Sequence, residues 1–87
     1  MKYNYGNALS FCEINSKIYI LHEATSNFFC LEKVGFLFWK KINKMDLAQC
    51  IEEIAEYYQQ PVYKIERDLT DFAKKLVQYG LLVERNE

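Results

Sequence analysis

Near Glu32 the hydrophobic pattern changes period, and the change divides the chain into a strand-forming part and a helix-forming part. Before it, three short runs rich in strand formers follow one another: Leu9 to Ile14 (LSFCEI), Lys17 to His22 (KIYILH) and Phe28 to Leu31 (FFCL). β-Branched and aromatic side chains of this kind suit a pleated, half-buried surface. Asn15-Ser16 is a turn signal between the first two runs, and the polar stretch Glu23 to Asn27 joins the second to the third. Connections of two and about five residues can join only antiparallel neighbours, because a parallel crossover needs a dozen residues or more. The runs therefore predict a meander in chain order, with the third strand on an outer edge.

After Glu32, Val34, Phe38 and Ile42 recur at four-residue spacing, flanked by Leu37 and Trp39, which predicts a helix over 33–43 with Trp39 largely buried. Asn43-Lys44 breaks it. Asp46 with Gln49 three residues on resembles a capping box and opens a second helix, whose stripe is Leu47, Cys50, Ile51, Ile54 and Tyr58 and which Pro61 closes. A third helix runs from Val62 to Gln78 with Ile65, Leu69, Phe72 and Leu76 on one face, and Gly80 is a C-terminal stop. Leu81-Leu82-Val83 then returns to the core. The expected architecture is α+β and winged-helix-like, a three-stranded antiparallel meander followed by three α-helices (βββααα). All 87 residues are expected to form a single domain: a flexible N-terminal tail at 1–8, the meander at 9–31, the three-helix part at 33–79 and a polar tail at 84–87.

A domain of this length buries only roughly 60–65% of its surface on folding, so its core must be efficient. Hydrophobic residues at 51% and aromatic ones at 16% supply it. No apolar run approaches the roughly 20 residues of a membrane span, and the N-terminus lacks an apolar signal core, so no membrane partner is expected. Eleven basic against 12 acidic residues, a formal net charge of −1, argue against attraction to phosphate as the main business of the chain. Cys12, Cys30 and Cys50 are odd in number, widely spaced and set in apolar segments. They are expected to be buried small hydrophobes in a reducing cytoplasm.

The chemistry open to these residues is narrow. The single His, His22, ends a predicted strand and is expected to be exposed. No HxxxH or CxxC spacing suits a metal, no glycine-rich loop suits a phosphate, and Glu52, Glu53 and Glu56 lie on the polar face of the second helix. No catalytic residue, metal or cofactor is expected. A winged-helix layout raises a second class, a small DNA-binding regulator with the third helix as reader. That helix, however, sets Lys64, Arg67, Lys74 and Lys75 against Glu66, Asp68 and Asp71, an excess of one positive charge, so no nucleic-acid partner is expected. The third strand offers another function. A free apolar edge is a liability unless it is covered or used. Either the N-terminal tail or Leu81 to Val83 covers it, or a guest peptide adds to it as a strand.

The run from His22 through Phe28, Phe29, Leu31, Val34 and Gly35 to Phe38-Trp39 resembles the PqqD family. So do the capped helix from Asp46 to Tyr58 and the closing Ile65-Glu66-Arg67-Asp68-Leu69, Phe72, Leu76 and Gly80-Leu81-Leu82. The similarity covers roughly residues 10 to 83 and consists of many weak positions at consistent spacing. The family's turn Asp is His22 in this chain, its turn Gly is Ser26, and the Asn that caps its first helix is Glu32, a poorer cap. Asn27 is the neighbour suited to a left-handed backbone.

The resemblance implies a stand-alone RiPP recognition element, a peptide-binding adaptor. It would hold the leader peptide of a ribosomally made precursor and present it to a maturation enzyme such as a leader peptidase or a radical-SAM enzyme. The pathways implied are those of pyrroloquinoline quinone, lasso peptides or radical-SAM peptides. In that family the leader lies antiparallel along the third strand and packs against the third helix. The implied binding residues are Phe28, Phe29, Cys30, Leu31, Glu32 and Lys33 on the strand and its end. On the third helix, Lys64, Asp68, Asp71 and Lys75 form a charged flank bordering the groove, and Ala73, Val77 and Val62 extend the apolar stripe on the other flank.

Overall fold

The computed structural model describes residues 1–85. Its elements are β1 (Lys2–Tyr5), β2 (Leu9–Ile14), β3 (Lys17–His22), β4 (Asn27–Glu32), α1 (Val34–Ile42), α2 (Leu47–Tyr57), α3 (Val62–Gln78) and β5 (Leu82–Arg85). The mixed α+β architecture is as expected. β2, β3 and β4 form one antiparallel sheet in that order, with Leu9 opposite His22, and Lys17 opposite both Ile14 and Glu32. Asn15 and Ser16 both have positive φ, 52° and 60°, as the tight turn of a two-residue hairpin requires. In the longer β3–β4 connection the Ser26 N–H donates to the His22 carbonyl (2.8 Å). The left-handed position there falls on Ser26, φ 61°, and not on Asn27, which opens β4.

Strand alternation sorts the sheet into two faces. Ile18, Ile20 and Leu31 are buried beneath the helices, whereas Phe28, Cys30 and Glu32 are exposed on the other side. α2 opens as its sequence indicates, with the Asp46 carboxylate accepting the Gln49 N–H at 2.8 Å. α1 is capped by Lys33 rather than Glu32. Its φ is 56° and no side chain bonds the helix start. α3 ends at Gly80, φ 78°, where the Leu81 N–H reaches back to the Leu76 carbonyl (2.9 Å), the six-to-one closure of a glycine-terminated helix. A side chain at residue 80 would also strike the His22 ring, since a Cβ there would lie 2.8 Å from Nε2. His22 is thus half-buried against the helix stop, not an exposed strand end.

Three further expectations need correction. The N-terminal stretch is no loose tail: β1 pairs antiparallel with β5, Tyr5 opposite Leu82 and Lys2 opposite Arg85. The physical reason is the alternation Lys2-Tyr3-Asn4-Tyr5, which puts both tyrosines on one face. Tyr3 is buried, and the Tyr5 ring lies flat on Trp39. The expected polar tail likewise begins inside a strand, since Glu84 and Arg85 belong to β5, while 86–87 lie outside the described residues. Of the cysteines only Cys50 is buried; Cys12 and Cys30 are exposed on the outer face of the sheet.

Candidate functional site

Because β1 and β5 pair with each other, neither covers β4, and among the described residues no strand pairs with the outer edge of β4, which is open. Which of its backbone groups face outward follows from the hydrogen-bond phase of the meander. The Glu23 N–H donates to the Ala8 carbonyl (2.9 Å), continuing the β2–β3 ladder by one residue. Antiparallel neighbours alternate between bonded and non-bonded pairs, so the odd residues of β3 bond β2 and the even ones bond β4. The register sets Ile18, Ile20 and His22 opposite Leu31, Phe29 and Asn27. Those three residues of β4 spend their N–H and C=O groups on β3. Phe28, Cys30 and Glu32 therefore aim theirs at the open edge.

Beside that edge runs a groove of about 420 Å³ between β4 and α3, lined by Cys30, Leu31, Glu32, Val34, Gly35, Ile65, Asp68, Leu69 and Phe72. Its two long walls run in opposite directions. The start of β4 meets the end of α3, where the Phe29 and Tyr79 rings stand 5.4 Å apart, and the end of β4 faces Ile65 and Asp68. The floor is apolar. Leu69 and Leu31 are buried, Ile65 and Phe72 are half-buried, and the Phe72 ring meets Phe38 edge-on at 5.5 Å. Gly35 keeps the floor open, because a Cβ there would already touch Phe72 (3.4 Å) and Leu31 (3.6 Å). The two charged residues in the lining, Glu32 and Asp68, are both acids, and Glu32 is loosely paired with Lys17 (3.5 Å).

Of the residues singled out from the sequence, Cys30, Leu31, Glu32 and Asp68 meet in the groove. Phe29 marks one end of it, and Phe28 stands exposed on the outer face of the sheet. Lys33 caps α1, and Lys64 and Lys75 are exposed outside the lining. Asp71 lies on another flank of α3, in a shallow depression with Tyr63, Glu66, Arg67 and Thr70. The stripe residues Ile65 and Phe72, read from the sequence as core, face the groove instead. Val62 and Val77, read as extending the packed stripe, are 44% and 38% exposed. Among the described residues no group of three or more His, Cys, Asp or Glu side chains could hold a metal ion, and no helix is long and apolar enough to cross a membrane.

An open strand edge beside an apolar groove defines a class of small α+β domain that can accept an extended chain. A family profile described as coenzyme PQQ synthesis protein D (PqqD) matches residues 17–82, and the chain belongs to the PqqD family. Two solved structures share the fold. One is TbiB1 in complex with the TbiA(beta) leader peptide, 26% identical, with a TM-score of 0.85 and all of both chains covered. The other is a lasso peptide synthetase B1 complexed with the leader peptide, 13% identical, with a TM-score of 0.87 over 97% of this chain and all of that one. Comparison with curated proteins gave no significant match.

Proposed function

We propose that this protein is a leader-peptide-binding adaptor for the maturation of a ribosomally made peptide. A segment of the precursor adds as a strand to the open edge of β4, with α3 as the opposite wall, and is thereby held for a maturation enzyme in the cytoplasm. The observation that carries this reading is the juxtaposition at β4. Outward-aimed backbone groups of Cys30 and Glu32, on an edge that Phe28 continues, border an apolar groove closed by Ile65, Leu69 and Phe72. Backbone bonds then supply affinity and the groove supplies selection. Membership of the PqqD family and the likeness to TbiB1, bound there to a leader peptide, support it. The adaptor contributes binding and orientation, and no chemical step is assigned to it.

The phase of β4 makes the test sharp. Cys30→Pro removes a donor that faces the edge and leaves the β3–β4 ladder intact, which edge strands tolerate. Phe29→Pro removes the donor to Ile20 and breaks the sheet. With the leader of a precursor encoded beside this gene, Cys30→Pro is expected to stay folded by circular dichroism and to lose at least about tenfold in affinity. Phe29→Pro is expected to lose the fold. A folded Cys30→Pro variant with wild-type affinity overturns the proposal.

A further inference from the structure

A strand laid along β4 has two rows of side chains, and only one row looks into the groove. The other row falls on the outer face of the meander. An antiparallel sheet with one face on the core ordinarily shows polar residues on the other. In this meander two of the three outer-face pairs between β3 and β4 are apolar: Leu21 beside Phe28, where Ser10 of β2 lies on the far side of Leu21, and Tyr19 beside Cys30, where Cys12 lies on the far side of Tyr19. The third is the ion pair of Lys17 and Glu32. Phe28 is 65% exposed, and its ring stands 6.5 Å from that of Tyr19. The apolar pairs end at the open edge itself, on two of the residues whose backbone groups point outward.

We infer that this outer face is a second recognition surface for the same bound peptide, so that the protein selects a segment apolar on both faces rather than an alternating one. The inference rests on the edge-addition reading above. Residues directly opposite one another in a pair project to the same face and touch. The peptide residue opposite Cys30 therefore lies on the outer face, and its two neighbours, opposite Leu31 and Phe29, turn into the groove. The residue opposite Phe28 returns to the outer face and covers that exposed ring. The residue opposite Glu32 is on the outer face too and meets a carboxylate that Lys17 pairs only loosely, at 3.5 Å. In antiparallel addition the peptide runs from Glu32 towards Phe28. The preferred ligand thus reads, from N to C, one basic residue followed by four consecutive apolar ones, the last suited to an aromatic ring. Phe28 is the residue that sets this outer preference.

The probe is a phage-displayed library of random dodecapeptides, selected on the immobilised full chain, on Phe28→Ser and on Cys30→Pro. Phe28 is largely exposed, so Phe28→Ser leaves the fold in place. Wild type is expected to enrich peptides with four consecutive apolar residues after a basic one. Phe28→Ser is expected to enrich alternating peptides and to bind the wild-type winners roughly tenfold more weakly. Wild-type winners that alternate strictly overturn the inference while leaving edge addition standing, as does an unbroken apolar run retained by Phe28→Ser. Winners that bind folded Cys30→Pro undiminished, or a selection that enriches nothing, overturn the edge reading and the inference with it. Protection of the Phe28, Cys30 and Glu32 amides by a winning peptide reports edge addition independently.

Discussion

Tyr5 lies flat on Trp39, with ring centroids 4.3 Å apart and planes 11° apart, while Phe11 meets the same indole edge-on at 5.3 Å. The Tyr5 hydroxyl donates to the Trp39 carbonyl at 2.6 Å, so the strand the sequence hid is fastened at its most apolar point. Trp39 is 1% exposed. Trp39→Ala is expected to cost about 3–5 kcal/mol, a large part of the stability of a domain this small, read as a fall in chemical midpoint. Burial also pushes the Tyr5 hydroxyl from 10.0 up to about 12. The folded state holds that proton more tightly than the unfolded chain does, so the stabilisation is full below pH 10 and is lost as pH climbs towards 12. Cys50 behaves alike. Burial first, then Glu53, pushes its thiol from 9.0 to about 12, and its share begins to fade above pH 9. The melting temperature is therefore expected to fall across this alkaline range. The fall should be shallower in Tyr5→Phe between pH 10 and 12. An identical slope in wild type and variant would remove Tyr5 as a contributor.

At the scale of elements, the meander and the three helices were legible because short connections and stripe periods are local properties. β2, β3 and α3 have the bounds that the runs predict. β1 and β5 were not legible, because the local pattern of each is too short to mark a strand by itself. Each exists by pairing with the other across the length of the chain, and alternation over four residues is too short to stand out from a polar tail. The edge of the site could be read from topology, but its groove wall could not. Periodicity reports that Ile65 and Phe72 share a face with Leu69, not that this face stops short of full burial. The short run FFCL likewise gave no sign of which alternate residues would be exposed. Two glycines separate close backbone approach from mere proximity. A Cβ at Gly6 would sit 2.1 Å from the Gly80 carbonyl oxygen, backbone that cannot swing away, whereas at Gly35 the nearest atom is a ring carbon of Phe72 at 3.4 Å. Gly6→Ala is expected to cost about 1–3 kcal/mol and to shift β1 and β5 amide resonances. Gly35→Ala should stay within about 1 kcal/mol of wild type, because helix propensity offsets the tighter contact.

For the molecule as a whole, the two small sheets divide the work. β1 and β5 pair with each other over Trp39 and against the end of α3, so neither joins the meander, and of the two outer edges of the meander the β4 edge is the one beside the apolar groove. That division can be observed amide by amide. In the free protein the Phe29 and Leu31 amides bond β3 and should exchange slowly, near the rate of global opening, whereas those of Phe28, Cys30 and Glu32 face outward and should exchange freely. A bound leader peptide has two separable effects. It stabilises the whole fold by mass action, about 2.7 kcal/mol at a hundredfold excess over Kd, which slows exchange at every globally protected amide. It also creates new bonds at the edge, which should slow exchange at 28, 30 and 32 far beyond that common factor, in alternation with 29 and 31. Uniform slowing without the alternation would mean that the peptide binds elsewhere and only stabilises the fold. Alternation with the opposite phase would mean that β4 is paired one residue out of the register that sets Phe29 opposite Ile20.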